Sequence, residues 1–132
     1  MPALISLLLP TRARPELARR FLETAFETCV HPEQVEIIMV VDEDDSTYEG
    51  FESPFARTSL FSVPPLTMSD RNRFAADNSS GDILALVNDD IVVESEAWDV
   101  AIREMHANQP DAIYLGYPND GFKGSKLATF PI

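Results

Sequence analysis

Three short apolar runs, each ending abruptly in polar or acidic residues, constrain this chain more than any other feature. They are residues 3–9, closed by Pro10-Thr11-Arg12; residues 35–41, closed by Asp42-Glu43-Asp44-Asp45; and residues 83–87, closed by Asn88-Asp89-Asp90. Runs of this length, rich in aliphatic and β-branched residues, read as strands. The third carries no charge between Ile83 and Val87. That predicts a strand covered on both faces, with an end rigid enough to present side chains. Two adjacent carboxylates at such an end repel each other unless a cation or a proton lies between them. Hard divalent ions choose oxygen ligands of this kind, so the third run points to a metal-dependent nucleotide or phosphate site.

Helical patterns separate the runs. Pro15 suits the first turn of a helix, and Leu17, Phe21, Ala25 and Cys29 then recur every four residues, with Leu22 and Phe26 widening the stripe. Residues 46–67 hold Gly50, Pro54, Pro64 and Pro65 without a sustained period, so they read mainly as loop, with a short strand near residues 60–63. Ser69 is placed to cap a helix over residues 70–80, with Gly81 in the left-handed position after it. Ser95 is placed to cap another, in which Trp98, Ile102 and Met105 share a face. Residues 112–115 read as a last short strand.

Strands alternating with helices imply an α/β fold, a mainly parallel sheet flanked by helices. In such sheets ligands bind beyond the carboxyl ends of the strands. The three polar run ends are therefore expected to converge on one edge.

The chain has 132 residues, enough for one domain, and is expected to comprise a core over residues 1–116 and a mobile tail over 117–132. Its net charge of −12 argues against nucleic acid or an anionic membrane as the main partner. It leaves nucleotides open, because a bound cation reverses the local field. Cys29 is the only cysteine, which suits a reducing cytoplasm. No run reaches the roughly 20 apolar residues that span a bilayer. Residues 3–9 lack a preceding positive charge, so they read as a strand rather than a signal segment.

Taken together, residues 7–15 (Leu-Leu-Leu-Pro-Thr-Arg-Ala-Arg-Pro), residues 37–45, and Arg71 to Asn78 followed by residues 80–90 resemble the family-2 glycosyltransferases of the GT-A fold. The likeness covers about the first hundred residues and rests on order and spacing. It implies a Rossmann-like, nucleotide-sugar-binding half in which Pro10, Thr11 and Arg12 support the nucleotide. By the same resemblance Asp42, or else Asp44, meets the base or ribose, and Arg71 approaches from its helix. An Asn-X-Asp variant of the family's acidic motif would hold Mn²⁺ or Mg²⁺ on the donor's diphosphate. Asp90 then leads as metal ligand, with Asp89 and Asn88 flanking it. Such a cation stabilises the departing nucleoside diphosphate as a Lewis acid. An inverting transferase also needs a carboxylate base. In the family this lies in an acceptor-binding half, and Asp120 is the one late acidic candidate here.

The expected partners are thus a nucleotide-diphosphate sugar and an unidentified acceptor. The competing reading is a non-catalytic nucleotide-binding or protein-interaction module retaining the donor half. An apolar face around Tyr114, Tyr117 and Phe130 would favour a homo-oligomer. Arg12 and Arg14 read as phosphate contacts or as exposed turn residues, and Arg71 and Arg73, two apart, cannot both face a ligand.

Overall fold

Each of the three apolar runs forms a strand, the first two buried on both faces and the third on one. The structure, a computed structural model, describes residues 2–108. In chain order it contains β1 (Ile5–Pro10), α1 (Pro15–Glu27), β2 (Val35–Asp42), β3 (Arg57–Val63), α2 (Met68–Asp77), β4 (Ile83–Leu86) and α3 (Trp98–Ala107). Short 3-10 turns occupy Pro32–Gln34 and Ser46–Tyr48. The strands form one parallel sheet in the order β3-β2-β1-β4.

Side chains alternate across the strands, so two separate cores form. Ile5, Leu7 and Leu9 of β1 and Ile37, Met39 and Val41 of β2 pack with Phe21, Leu22 and Ala25 of α1, joined by Trp98 and Ile102 of α3. On the other face Leu8, Ile38 and Val40 meet Val63 of β3 and Ala75 of α2. Every residue of β1 and all of β2 except Glu36 is buried. Near-continuous hydrophobicity in those two runs is thereby explained.

The third run behaves differently from expectation. Among the described residues β4 is an edge strand paired only with β1, and Leu84 and Leu86 are 48% and 45% exposed. Only the face carrying Ile83 and Ala85 joins a core. The opposite face has no helix over it among the described residues, since α2 packs over β1 and β2 instead.

Four local expectations are also corrected. The short strand expected near residues 60–63 is present but longer: β3 covers Arg57–Val63 and runs in register with β2 from Glu36↔Arg57 to Asp42↔Val63. Edge exposure of Arg57, Ser59 and Ser62 hides its period. The cap of α2 is Thr67, whose hydroxyl accepts the Asp70 N–H at 3.1 Å, rather than Ser69. Helix α3 begins after Ala97, itself left-handed at φ 59°, and Ser95 makes no cap. Gly81 is not left-handed, and its requirement is steric: an added Cβ would lie 2.3 Å from Ser6 Oγ and 2.8 Å from the Ser6 nitrogen. The absent side chain lets the Gly81 N–H reach Ser6 Oγ at 2.9 Å.

Among the described residues no helix is long and apolar enough to cross a membrane. The expected strand at 112–115, the tail, the apolar residues Tyr114, Tyr117 and Phe130, and Asp120 lie outside the described residues.

Candidate functional site

The chain builds β1, β2 and β3 in one direction and then returns to place β4 on the other side of β1. Where strand order reverses, the loops leaving the two adjacent strands diverge and open a crevice. A cleft of about 150 Å³ lies there, lined by Pro10, Thr11, Arg12 and Arg14 after β1, Met68 and Arg71 of α2, and Asn88, Asp89 and Asp90 after β4. Of the residues singled out in the sequence, Pro10, Thr11, Arg12, Arg71, Asn88, Asp89 and Asp90 are thus brought together. Arg73 is exposed and lies outside the lining.

Asp42 stands just behind this cleft. Its side chain is fully buried, and Arg12 Nη1 lies 2.9 Å from Oδ2 while Arg71 Nη2 pairs with Oδ1. Neither oxygen has a hydrogen bond of good angular geometry, so the two guanidinium charges are what compensate its burial. The arginines differ in freedom. Arg71 is 9% exposed and its Nε donates to the Leu66 carbonyl at 3.1 Å, whereas the Arg12 side chain is 65% exposed. Asp44 is exposed and outside the cleft lining.

A second network joins the ends of β1 and β4. Thr11 Oγ1 donates to Asp89 Oδ2 at 2.7 Å and lies 2.5 Å from the Tyr48 hydroxyl. The Arg14 N–H donates to Tyr48 at 3.2 Å, and Arg14 Nη1 lies 3.5 Å from Asp89 Oδ1. Burial raises the Tyr48 phenol above its usual range, against the lowering effect of the Arg14 amide. Between the strand ends, Ala13 takes a left-handed φ of 51° and donates its N–H to Asp45 Oδ2 at 2.7 Å. Asp45 also accepts from the Thr47 hydroxyl at 2.5 Å and the Thr47 N–H at 3.0 Å. The Thr47 hydroxyl, and after it the Ala13 and Thr47 amides, hold the Asp45 carboxyl below its usual range against a smaller upward effect of desolvation.

Sequence reasoning missed Tyr48 and Asp45. The Asp45-Ser46-Thr47 sequence carries the signature of a side-chain-capped turn and could have marked Asp45. Nothing local marks Tyr48, because its partners lie 34 and 37 residues away.

Three arginines line the cleft in a protein of net charge −12, and the amino-terminal ends of α1 and α2 open beside it. Guanidinium groups and helix amino termini both favour an anion. Opposite them, Asn88 and Asp90 are exposed while Asp89 is buried. Among the described residues no group of three His, Cys, Asp or Glu side chains is placed to hold a metal. The exposed oxygen donors on that side of the cleft are the Asp90 carboxylate and the Asn88 carboxamide. Compared with models of known protein families and with curated proteins, the chain matches none.

Proposed function

We propose that this chain is the donor-binding part of a metal-dependent glycosyltransferase of the GT-A type, taking a nucleotide-diphosphate sugar for transfer to an acceptor. The observation that carries the reading is the switch-point cleft, in which Arg12, Arg14 and Arg71 face exposed Asn88 and Asp90. A diphosphate suits the arginines and the helix amino termini. Mn²⁺ or Mg²⁺ would be held by Asp90, with Asn88 beside it. When bound, it would neutralise charge developing on the leaving diphosphate.

The protein's own groups have separable tasks. Arg71, fixed by Asp42 and the Leu66 carbonyl, supplies a preoriented positive charge. Arg12 is exposed and can leave Asp42 to meet an anion. Asp42 is fully covered, so in this reading it holds the two arginines, and it meets a base or ribose only once Arg12 moves aside.

The test is calorimetric titration of UDP, GDP, dTDP and CDP into the full chain and into Asp90→Ala, each with and without Mn²⁺. The expected result is one nucleotide whose binding requires Mn²⁺ and disappears in the variant. A folded chain that binds none of the four refutes the reading. The second reading, a non-catalytic module, draws on the open β4 face with Leu84 and Leu86; it predicts nucleotide binding without turnover of any donor sugar.

A further inference from the structure

We infer that Thr11 and Tyr48 are positioning residues for the loop after β4, and that Asp89 is the anchor of that loop rather than a ligand of its cation. The cation part of this inference rests on the functional reading above; the anchoring part does not.

Burial alternates along the loop. Asn88 and Asp90 are exposed at the cleft, while Asp89, between them, is 6% exposed and turned into the protein. There Asp89 meets the β1 end. Thr11 gives it a hydroxyl proton at 2.7 Å, and Arg14 adds a charge at 3.5 Å. A threonine hydroxyl has one proton to donate. With that proton on Asp89, the 2.5 Å contact between Thr11 and Tyr48 is made by the Tyr48 hydroxyl donating to Thr11. The Tyr48 oxygen in turn accepts the Arg14 N–H. The bonds therefore run one way, from the Arg14 amide through Tyr48 and Thr11 to the Asp89 carboxylate. Such chains polarise each member and end best on a charge.

The turn that carries Thr11 is itself held from the other side. Ala13 stays left-handed, a conformation costly for a residue with a Cβ, because Asp45 takes its N–H. The end of β2, the end of β1 and the end of β4 are thus tied in series, and the last tie fixes where Asp90 points. A carboxylate already holding a hydroxyl proton on one oxygen and a guanidinium near the other has little left to offer a cation. Asp90, which has neither among the described residues, lines the cleft.

Three variants of the full chain test this: Thr11→Val, which keeps the shape and loses the hydroxyl; Thr11→Ser, which keeps the hydroxyl; and Tyr48→Phe. Two readouts are taken, Mn²⁺ affinity in the presence of each of UDP, GDP, dTDP and CDP and hydrogen exchange of the 88–90 amides, with β2 amides as the control for global unfolding. Thr11→Val should weaken Mn²⁺ binding about 10- to 100-fold, the usual effect of removing a group that orients a ligand. It should speed 88–90 exchange by about tenfold or more while β2 amides keep their protection. Thr11→Ser should restore both, and Tyr48→Phe should fall between. Unchanged exchange at 88–90 in Thr11→Val overturns the inference, as does equal damage from Thr11→Ser, which would assign the effect to the lost methyl. A Thr11→Val chain that binds Mn²⁺ like the wild type removes the cation part. If the wild type takes up no Mn²⁺, the functional reading fails, and the exchange result alone decides whether Thr11 anchors the loop.

Discussion

Replacing Asp99 with asparagine deletes one charge at the end of the sheet remote from the cleft. Asp99 is fully buried, accepts the Val30 and His31 N–H groups at 2.9 Å each, and pairs with Arg103 Nη1 at 2.5 Å. Arg103 carries the tie onward, donating from Nε to the Ala3 carbonyl at 2.8 Å and from Nη2 to the Gln34 carbonyl at 3.0 Å. One carboxylate therefore fastens α3 to the exit of α1 and the entries of β1 and β2. Asparagine keeps the shape, yet its NH₂ would face a donor where a carboxylate oxygen now accepts. Breaking one partner of a buried pair costs about 3–5 kcal/mol. Because Arg103 keeps its two carbonyl partners, the lower end applies, about 3 kcal/mol, a large part of a typical 5–15 kcal/mol stability.

The pH dependence gives an independent check. Burial alone would raise the Asp99 carboxyl, but the Val30 and His31 amides and Arg103 outweigh it and bring its pKa to about 2. An unfolded aspartate titrates near 3.9. Because the folded value is the lower, the stabilisation is complete above about pH 4 and is lost as pH falls towards about 2, on the order of 2–3 kcal/mol in all. Urea unfolding of wild type and Asp99→Asn at pH 7, and at steps from pH 4.5 to 2, measures both quantities. A loss under about 1 kcal/mol at pH 7, or a variant with the same slope between pH 4 and 2 as the wild type, would refute the reasoning.

Three further outcomes follow from the same geometry. Arg71→Ala should cost about 3 kcal/mol by stranding buried Asp42 with one partner, while Arg12→Ala, on an exposed side chain, should cost under about 1 kcal/mol; paired denaturant curves separate them. Gly81→Ala should destabilise by about 2 kcal/mol or more, since the new Cβ meets the Ser6 backbone as well as its hydroxyl, and thermal melts will show it. Burial first, and the nearby Asp99 charge after it, push the Cys29 thiol up to about 12. It should therefore resist iodoacetamide at pH 8 in the native chain and react on unfolding, as mass spectrometry would record.

The parts of this fold legible in the sequence were those whose neighbours lie nearby or whose burial is complete. β1 and β2 announce themselves because both faces are covered, and α1 because its stripe meets a core along its length. Only the apolar second half of β3, residues 60–63, showed itself, because the polar, largely exposed start at Arg57, Thr58 and Ser59 reads like the loop before it. β4 misled in the opposite sense: its lack of charge suggested full burial, yet Leu84 and Leu86 are open. The candidate site followed the same logic. The strand-end residues could be named because architecture alone brings such ends together. That Asp42 is sealed by two arginines, and that Asp45 rather than Asp44 supports the β1 turn, depends on rotamers and distances no local pattern encodes.

The place of β1 in the sheet also sets an order of assembly. Its partner in β2 lies 30 residues downstream (Ile5↔Val35), whereas its partner in β4 lies 78 downstream (Ile5↔Ile83). Closing the longer loop costs roughly 0.8 kcal/mol more in chain entropy, and the return for it is a four-residue strand with one face dry. As the chain emerges during synthesis, β1, α1 and β2 can condense and set Arg12, Asp42, Asp45 and Tyr48 in place. The cleft itself waits for β4 to dock and deliver Asp89 to Thr11. A complete cleft is thereby confined to chains whose sheet has closed on both sides of its first strand.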